Sequence, residues 1–229
     1  LLYGEAFRPP SISELNAGNN PVLLGNADLK PEKLESTELS FNIRFSPSWT
    51  LDLNFYQYLI DDFIYMEYVN NLALRAENIG HIKGKGIEIE LQHQLAPNMR
   101  LLTNYSYQQT QDQDTGESLG LAPTDQFYAR WVWDALSWLQ VTPQITYVGT
   151  RERPANDSRK ALGGYTSVDF SARAQLDERT TVTFSGHNLT DAKIKEPSLG
   201  PSTATTPINI QNDLPQQGRQ LTLGIELRW

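Results

Sequence analysis

The dominant pattern along this chain is an alternation of apolar and polar side chains with a period of two. It is plainest in the last twelve residues, where Leu221, Leu223, Ile225, Leu227 and Trp229 alternate with Gln220, Thr222, Gly224, Glu226 and Arg228. Successive side chains of a strand point to opposite faces. The segment therefore predicts a strand with one wholly apolar face that ends in an aromatic. The same alternation runs through Leu39–Phe45, Leu51–Leu59 (continuing to about Met66), Ile87–Leu95, Leu101–Tyr107, Phe127–Trp133, Leu139–Tyr147, Val168–Leu176 and Val182–Phe184. That makes nine predicted strands, and no segment has a convincing helical period. Pro143 falls on an apolar face, where its missing N–H argues against an unbroken ladder.

The connections also alternate. Ser46–Ser48, Ala96–Asn98, Ala135–Ser137 and Asp177–Glu178 predict tight turns. Between them lie longer connections at about Val69–Arg75, Gln111–Thr124, Arg151–Gly163 and Leu189–Gln217. Leu1–Pro31, with four prolines, reads as a long loop, and Leu1–Tyr3 as the tail of a further strand. A meander with all its tight turns on one side predicts an all-β fold, an antiparallel up-and-down transmembrane β-barrel. Its strands would be apolar toward lipid and polar toward the lumen. Trp49, Trp133, Trp138 and Trp229 lie at or beside the tight-turn ends, with Trp131 two residues further in. They read as a girdle at the periplasmic interface, where long loops face outside. The competing reading is a soluble sheet capped by tryptophans.

Composition narrows this further. A net charge of −8 argues against a nucleic-acid surface. The absence of Cys excludes disulfide scaffolds and thiolate chemistry. No run of about 18 apolar residues predicts a membrane helix, and a mean hydropathy of −0.47 suits a barrel as well as a soluble protein. An odd strand count that starts on the long-loop side predicts an incomplete barrel: about nine or ten strands of a larger one, with residues 1–229 as its C-terminal portion.

Candidate chemistry is sparse. Asp114-Thr115-Gly116 matches the aspartic-protease tripeptide, but it occurs once and in a polar loop, so it reads as an exposed turn. Gly80–Gly86 lacks the Ser or Thr of a phosphate loop. Its Gly84 and Gly86 read as points of close backbone approach or a bulge. His81, His93 and His187 have no metal-ligand spacing. No catalytic residue, metal site or cofactor is assigned, and the expectation is a protein that is not an enzyme. Arg151, Arg153, Arg159 and Lys160 concentrate positive charge on one outer loop of an acidic chain, which suits an anionic ligand; lipopolysaccharide contact and solubility are the competing explanations. Tyr65 and Tyr68 are candidates for stacking on aromatic ligand groups.

Several segments together resemble the TonB-dependent outer-membrane receptors. They are Tyr3–Pro10 followed by Ser13-Glu14-Leu15; Asn26–Glu32 followed by Glu38; Glu77–Gly80 followed by Lys83–Glu88; and Asn188–Asp191. The resemblance implies a barrel of about 22 strands with a plugged lumen, in the outer membrane of a Gram-negative bacterium. It also implies TonB-energised uptake of a scarce ligand, most often a ferric siderophore. Implied partners are outer-membrane lipid and lipopolysaccharide, TonB through N-terminal parts absent from this chain, and the barrel-insertion machinery. That machinery would read the terminal strand, Leu221, Leu223, Ile225, Leu227 and Trp229. A haem or corrinoid receptor of the same family is the alternative; no His between Phe7 and Leu29 lowers the haem reading. A passive porin, a barrel enzyme and a soluble glycan-binding protein are the other classes considered.

Overall fold

The computed structural model describes residues 1–18, 20, 22–69, 73–154, 157–198 and 210–228. Its elements run β1 (Leu2–Arg8), α1 (Ile12–Asn16), β2 (Leu23–Leu24), β3 (Glu32–Ser46), β4 (Trp49–Tyr68), β5 (Leu74–Ala96) and β6 (Met99–Asp112). There follow β7 (Asp125–Leu136), β8 (Leu139–Val148), β9 (Tyr165–Gln175), β10 (Thr180–His187), β11 (Lys195–Glu196), β12 (Leu214–Pro215) and β13 (Gln220–Leu227). One sheet carries the fold in the order β1-β3-β4-β5-β6-β7-β8-β9-β10-β13, each strand antiparallel to the next, and β2 pairs parallel to β5 beside that path. Among the described residues β1 and β3 do not pair with β13, so the sheet is open. Trp229 lies outside the described residues.

Register shows why the pattern works. Ser40, Asn54, Glu88, Ser106 and Gln126 pair across five strands in one row. Phe41, Leu53, Ile89, Tyr105 and Phe127 make the adjacent row on the other face. Among the described residues nothing covers the apolar face of β13: Leu221, Leu223, Ile225 and Leu227 are 61–68% exposed. Water would penalise such a surface by about 25 cal/mol per Å²; hydrocarbon removes that penalty. Among the described residues no helix is long and apolar enough to cross a membrane, which has no bearing on crossing by strands.

Three tight turns share one construction. Ser46 pairs with Trp49, Ala96 with Met99 and Leu136 with Leu139, and the register shifts by one just before each turn. A repeated bulge lets two turn residues close each hairpin while the strand bends.

Two expectations change and a third holds. Leu1–Pro31 is not one irregular loop: it contains β1, the short α1 and β2. Ser11 caps α1, its Oγ accepting from the Glu14 N–H at 3.2 Å while the Glu14 carboxylate accepts from the Ser11 N–H at 2.6 Å. This capping box holds a helix too short to show a period. β5 begins at Leu74 rather than near Ile87, because its first half lacks apolar alternation yet pairs with β4 throughout. At 20 and 23 residues, β4 and β5 are about twice as long as a strand needs to cross a bilayer. Finally, Pro143 sits inside β8. The β7–β8 ladder skips from Arg130–Gln144 to Trp133–Val141, and the strand is kept by continuous pairing with β9.

Candidate ligand-facing loops and lumen wall

At the long-loop end, the first segment folds onto the β4–β5 hairpin. Leu29, Ile64 and Ala76 form a small buried cluster with Leu15 and Met66 against it. Arg8 reaches both carboxylates around it: its Nε is 2.6 Å and its Nη2 3.0 Å from Glu32, and its Nη1 is 3.1 Å from Glu14. Glu32 also accepts from the Ile64 N–H at 2.8 Å. Asn26 donates to the Ala76 carbonyl at 2.9 Å, and Asn78 donates to the Lys30 carbonyl at 3.1 Å. Three stretches separated in sequence thus form one rim assembly. The Ser11 amide, with the Ser11 hydroxyl and Arg8, holds the Glu14 carboxyl below its ordinary range, so the cap is charged at neutral pH.

The basic loop is built differently from a free cationic patch. Arg151 is buried, its side chain 2% exposed. It donates to the Lys195 and Gly163 carbonyls and to Glu196, and its guanidinium stands 5.3 Å from the Tyr165 ring centre. Arg153 forms two parallel hydrogen bonds of 2.8 Å to Asp213. Arg159 donates to Asp157 at 2.6 Å and to the Ser198 hydroxyl and carbonyl at 2.8 and 3.0 Å. Asp213 also accepts from the Ser198 N–H at 3.2 Å. Arg153 holds the Asp213 carboxyl far below its ordinary range, and Arg159 holds Asp157 down. Three of the loop's four positive charges therefore tie the β8–β9 loop to the β10–β13 loop. Of the four, Lys160 alone is exposed. Sequence reading missed Asp157, Glu196, Ser198 and Asp213. Asp213 lies 60 residues beyond Arg153, and nothing local marks it.

Tyr65, on the β4–β5 hairpin, is 38% exposed and packs beside Phe63. Tyr68 ends β4, and its side chain lies outside the described residues. The sheet lines a groove of about 630 Å³ whose lining includes Asn42, Asp52, Asn54, Glu88, Glu90 and Asn104 together with apolar residues such as Leu53 and Phe127. Asp52 and Glu90 pair directly across β4 and β5, a repulsive arrangement in isolation. Amides relieve it: Asn42 donates to Asp52, and Asn104 and Gln92 donate to Glu90. Above them, the Tyr58 ring lies over Gly84 and reaches Thr110 on β6 at 3.2 Å, while Tyr56 lies over Gly86. The register is unbroken there, so the two glycines serve close approach and not a bulge. Asp114 sits in a turn stabilised by Asp112, its carboxylate 3.5 Å from His81, whose other ring nitrogen is 3.7 Å from Asp61; all three side chains are exposed. Among the described residues no group of three or more His, Asp or Glu is arranged to hold a metal ion.

Residues 2–189 match the family described as TonB dependent receptor-like, beta-barrel. The chain belongs to this family of TonB-dependent receptor β-barrels. A curated relative, the vitamin B12 transporter BtuB of Vibrio cholerae serotype O1, is 27% identical over 204 residues, 82% of this chain and 30% of that protein. The ferric enterobactin receptor PfeA of Pseudomonas aeruginosa superposes with a TM-score of 0.80 at 17% identity, over 98% of this chain and 37% of PfeA. The copper transporter OprC superposes with a TM-score of 0.79 at 16% identity, over 98% of this chain and 36% of OprC. The chain thus spans about a third of the length of these relatives. The solved relatives share its fold while their names point to different ligands, so fold alone leaves the ligand open.

Proposed function

We propose that this chain is the C-terminal portion of the barrel of an outer-membrane receptor that imports a scarce, metal-bearing ligand with energy delivered through TonB. One observation carries the reading: among the described residues an open meander with an unpacked apolar face has its long, internally braced loops at one end. TonB and the barrel-insertion machinery are partners the family implies, engaged through the whole receptor. The outer loops are the proposed ligand-facing surface, with Arg151, Arg153 and Arg159 as their frame and Lys160 and Tyr65 as side chains presented outward; Tyr68 is proposed beside Tyr65 from the sequence.

A ferric siderophore is the first ligand class, as the family resemblance suggests. A corrinoid is the second. It is favoured by the alignment with BtuB along most of the chain and by the matching of the loop arginines with carboxylates, which leaves little free positive field to steer an anion. Titrating the full-length receptor with a ferric catecholate chelate and with cyanocobalamin separates the two. Tight chelate binding with an on-rate that falls with salt supports the first; salt-indifferent cobalamin binding supports the second. Binding of neither, together with steady ionic conductance in a planar bilayer, would leave a passive pore and overturn active uptake.

A further inference from the structure

Where the β6–β7 loop leaves the sheet, its first turn is pinned to β5. Asp112 Oδ1 accepts from the Asp114 and Thr115 N–H groups at 2.8 and 3.1 Å, which closes the turn. The Gln113 N–H donates to the His81 carbonyl at 2.8 Å, and the His81 N–H donates to the Asp114 carboxylate at 3.3 Å. That carboxylate lies over Gly80, where a Cβ would collide with Asp114 Oδ2, so the glycine makes its seat. The His81 ring then stands between two carboxylates, with Nδ1 3.5 Å from Asp114 and Nε2 3.7 Å from Asp61 on β4. The other charged groups around it are Lys83, two residues along β5, and Lys33, opposite Asp61 on β3. Asp112 and Glu117 belong to the loop's own turn, where the Asp112 N–H donates to the Glu117 carbonyl at 2.9 Å. Among the described residues neither lysine forms an ion pair with Asp61 or Asp114.

We infer that His81 is an acid-sensitive latch that fastens the β6–β7 loop to the β4–β5 hairpin. A neutral imidazole donates from one nitrogen, so it serves one of the two carboxylates. An imidazolium donates from both, and its charge is attracted to Asp61 and Asp114 together. Protonation therefore adds a side-chain bridge to a turn that backbone hydrogen bonds already hold. Histidine ordinarily gains its proton near ~6.5. The bridge is complete below that range and weakens as pH rises through it, while carboxylates ordinarily discharge only near ~4. The loop carries the effect onward. The Leu121 N–H donates to the Glu152 carbonyl at 2.8 Å, and Pro123 bridges to Arg151 in the β8–β9 loop. The Arg153–Asp213 and Arg159–Asp157 pairs beyond it stay charged from about pH 5 to about 8, so they do not share the response.

The latch needs only the fold, so its test is independent of the ligand. Amide exchange of the full-length receptor in detergent micelles is compared at about pH 5.5 and about pH 7.5, on either side of the histidine range, with rates corrected for intrinsic chemistry. Residues 113–121 should exchange about three-fold more slowly at the lower pH, the scale expected of two exposed ion pairs. Residues 157–163 serve as the unresponsive reference. His81→Gln should lose the response. His187→Gln should keep it, because the His187 ring lies 3.9 Å from Asp169 on β9, away from this loop. Equal corrected rates at the two pH values in the unmodified receptor overturn the inference without any variant having to fold. So does a response that survives His81→Gln, or one that His187→Gln removes. None of these outcomes bears on uptake, which the ligand titrations decide.

Discussion

Leu223 and Thr222 are neighbours in sequence and opposites in environment. Leu223 points its side chain to the face that nothing in the chain covers and is 68% exposed. Leu223→Arg should cost the full-length receptor about 2–4 kcal/mol if it lies near the bilayer midplane, and Thr222→Arg much less. Equal shifts in the urea midpoint of micelle-folded protein would contradict the assignment of faces. Gly84 shows the other kind of residue-level constraint. A Cβ there would fall within the Tyr58 ring, so Gly84→Ala should cost about 1–3 kcal/mol by overpacking. Tyr58→Ala in the same chain should recover part of that loss. Additive destabilisation in the double variant would show that ring and glycine do not meet.

The clamp between the β8–β9 and β10–β13 loops is a property of two elements at once. Asp213 has φ of 63°, a conformation Asn also tolerates, so Asp213→Asn removes charge with little change of backbone preference. Breaking a buried pair from one side typically costs about 3 kcal/mol. Hydrogen exchange at residues 157–163 and 195–198 should accelerate in this variant while the strands stay protected. The response to pH has a definite sign. Asp213 and Asp157 are depressed in the folded loops, by Arg153 and Arg159 respectively. Their contribution is therefore complete above the ordinary aspartate value near ~4 and is lost only as pH falls through the lower folded values. Exchange at these amides should be flat between about pH 8 and about 5 once corrected for intrinsic rates, and rise in stronger acid. A rise between those limits would mean that these carboxylates are not the fastening.

The whole molecule has two open edges, β1 with the lower half of β3 on one side and β13 on the other. Unpaired edges beside an apolar face promote association. The 229-residue chain by itself should aggregate or stay heat-indifferent on gels in detergent, whereas the full-length receptor should migrate differently before and after boiling. A heat-modifiable monomer from the isolated chain would show that these strands close on themselves. The strand order was legible in advance, since alternation from Leu39 to Leu227 and the four tight turns leave little choice of neighbours. The candidate site was legible only as a place. Arg151, Arg153 and Arg159 stood out by composition, but their charge-matched partners did not, because Asp213 and Glu196 carry no local pattern linking them to those arginines.

By itself, the sequence determined the all-β class, the two-faced strands, the one-sided sorting of loops and the family, because each follows from side-chain period, turn chemistry or motifs read within a few residues. Tertiary structure alone decided the rest. It ran β5 back to Leu74, since the pairing of a segment without apolar alternation depends on its neighbour β4. It brought Arg8, Glu14 and Glu32 together at the rim. It turned a basic loop into a brace, because a guanidinium placed within 3 Å of a buried carboxylate serves packing before it serves solvent. Hydrophobic period is a local quantity, whereas the fate of a charge depends on which distant segment folds against it.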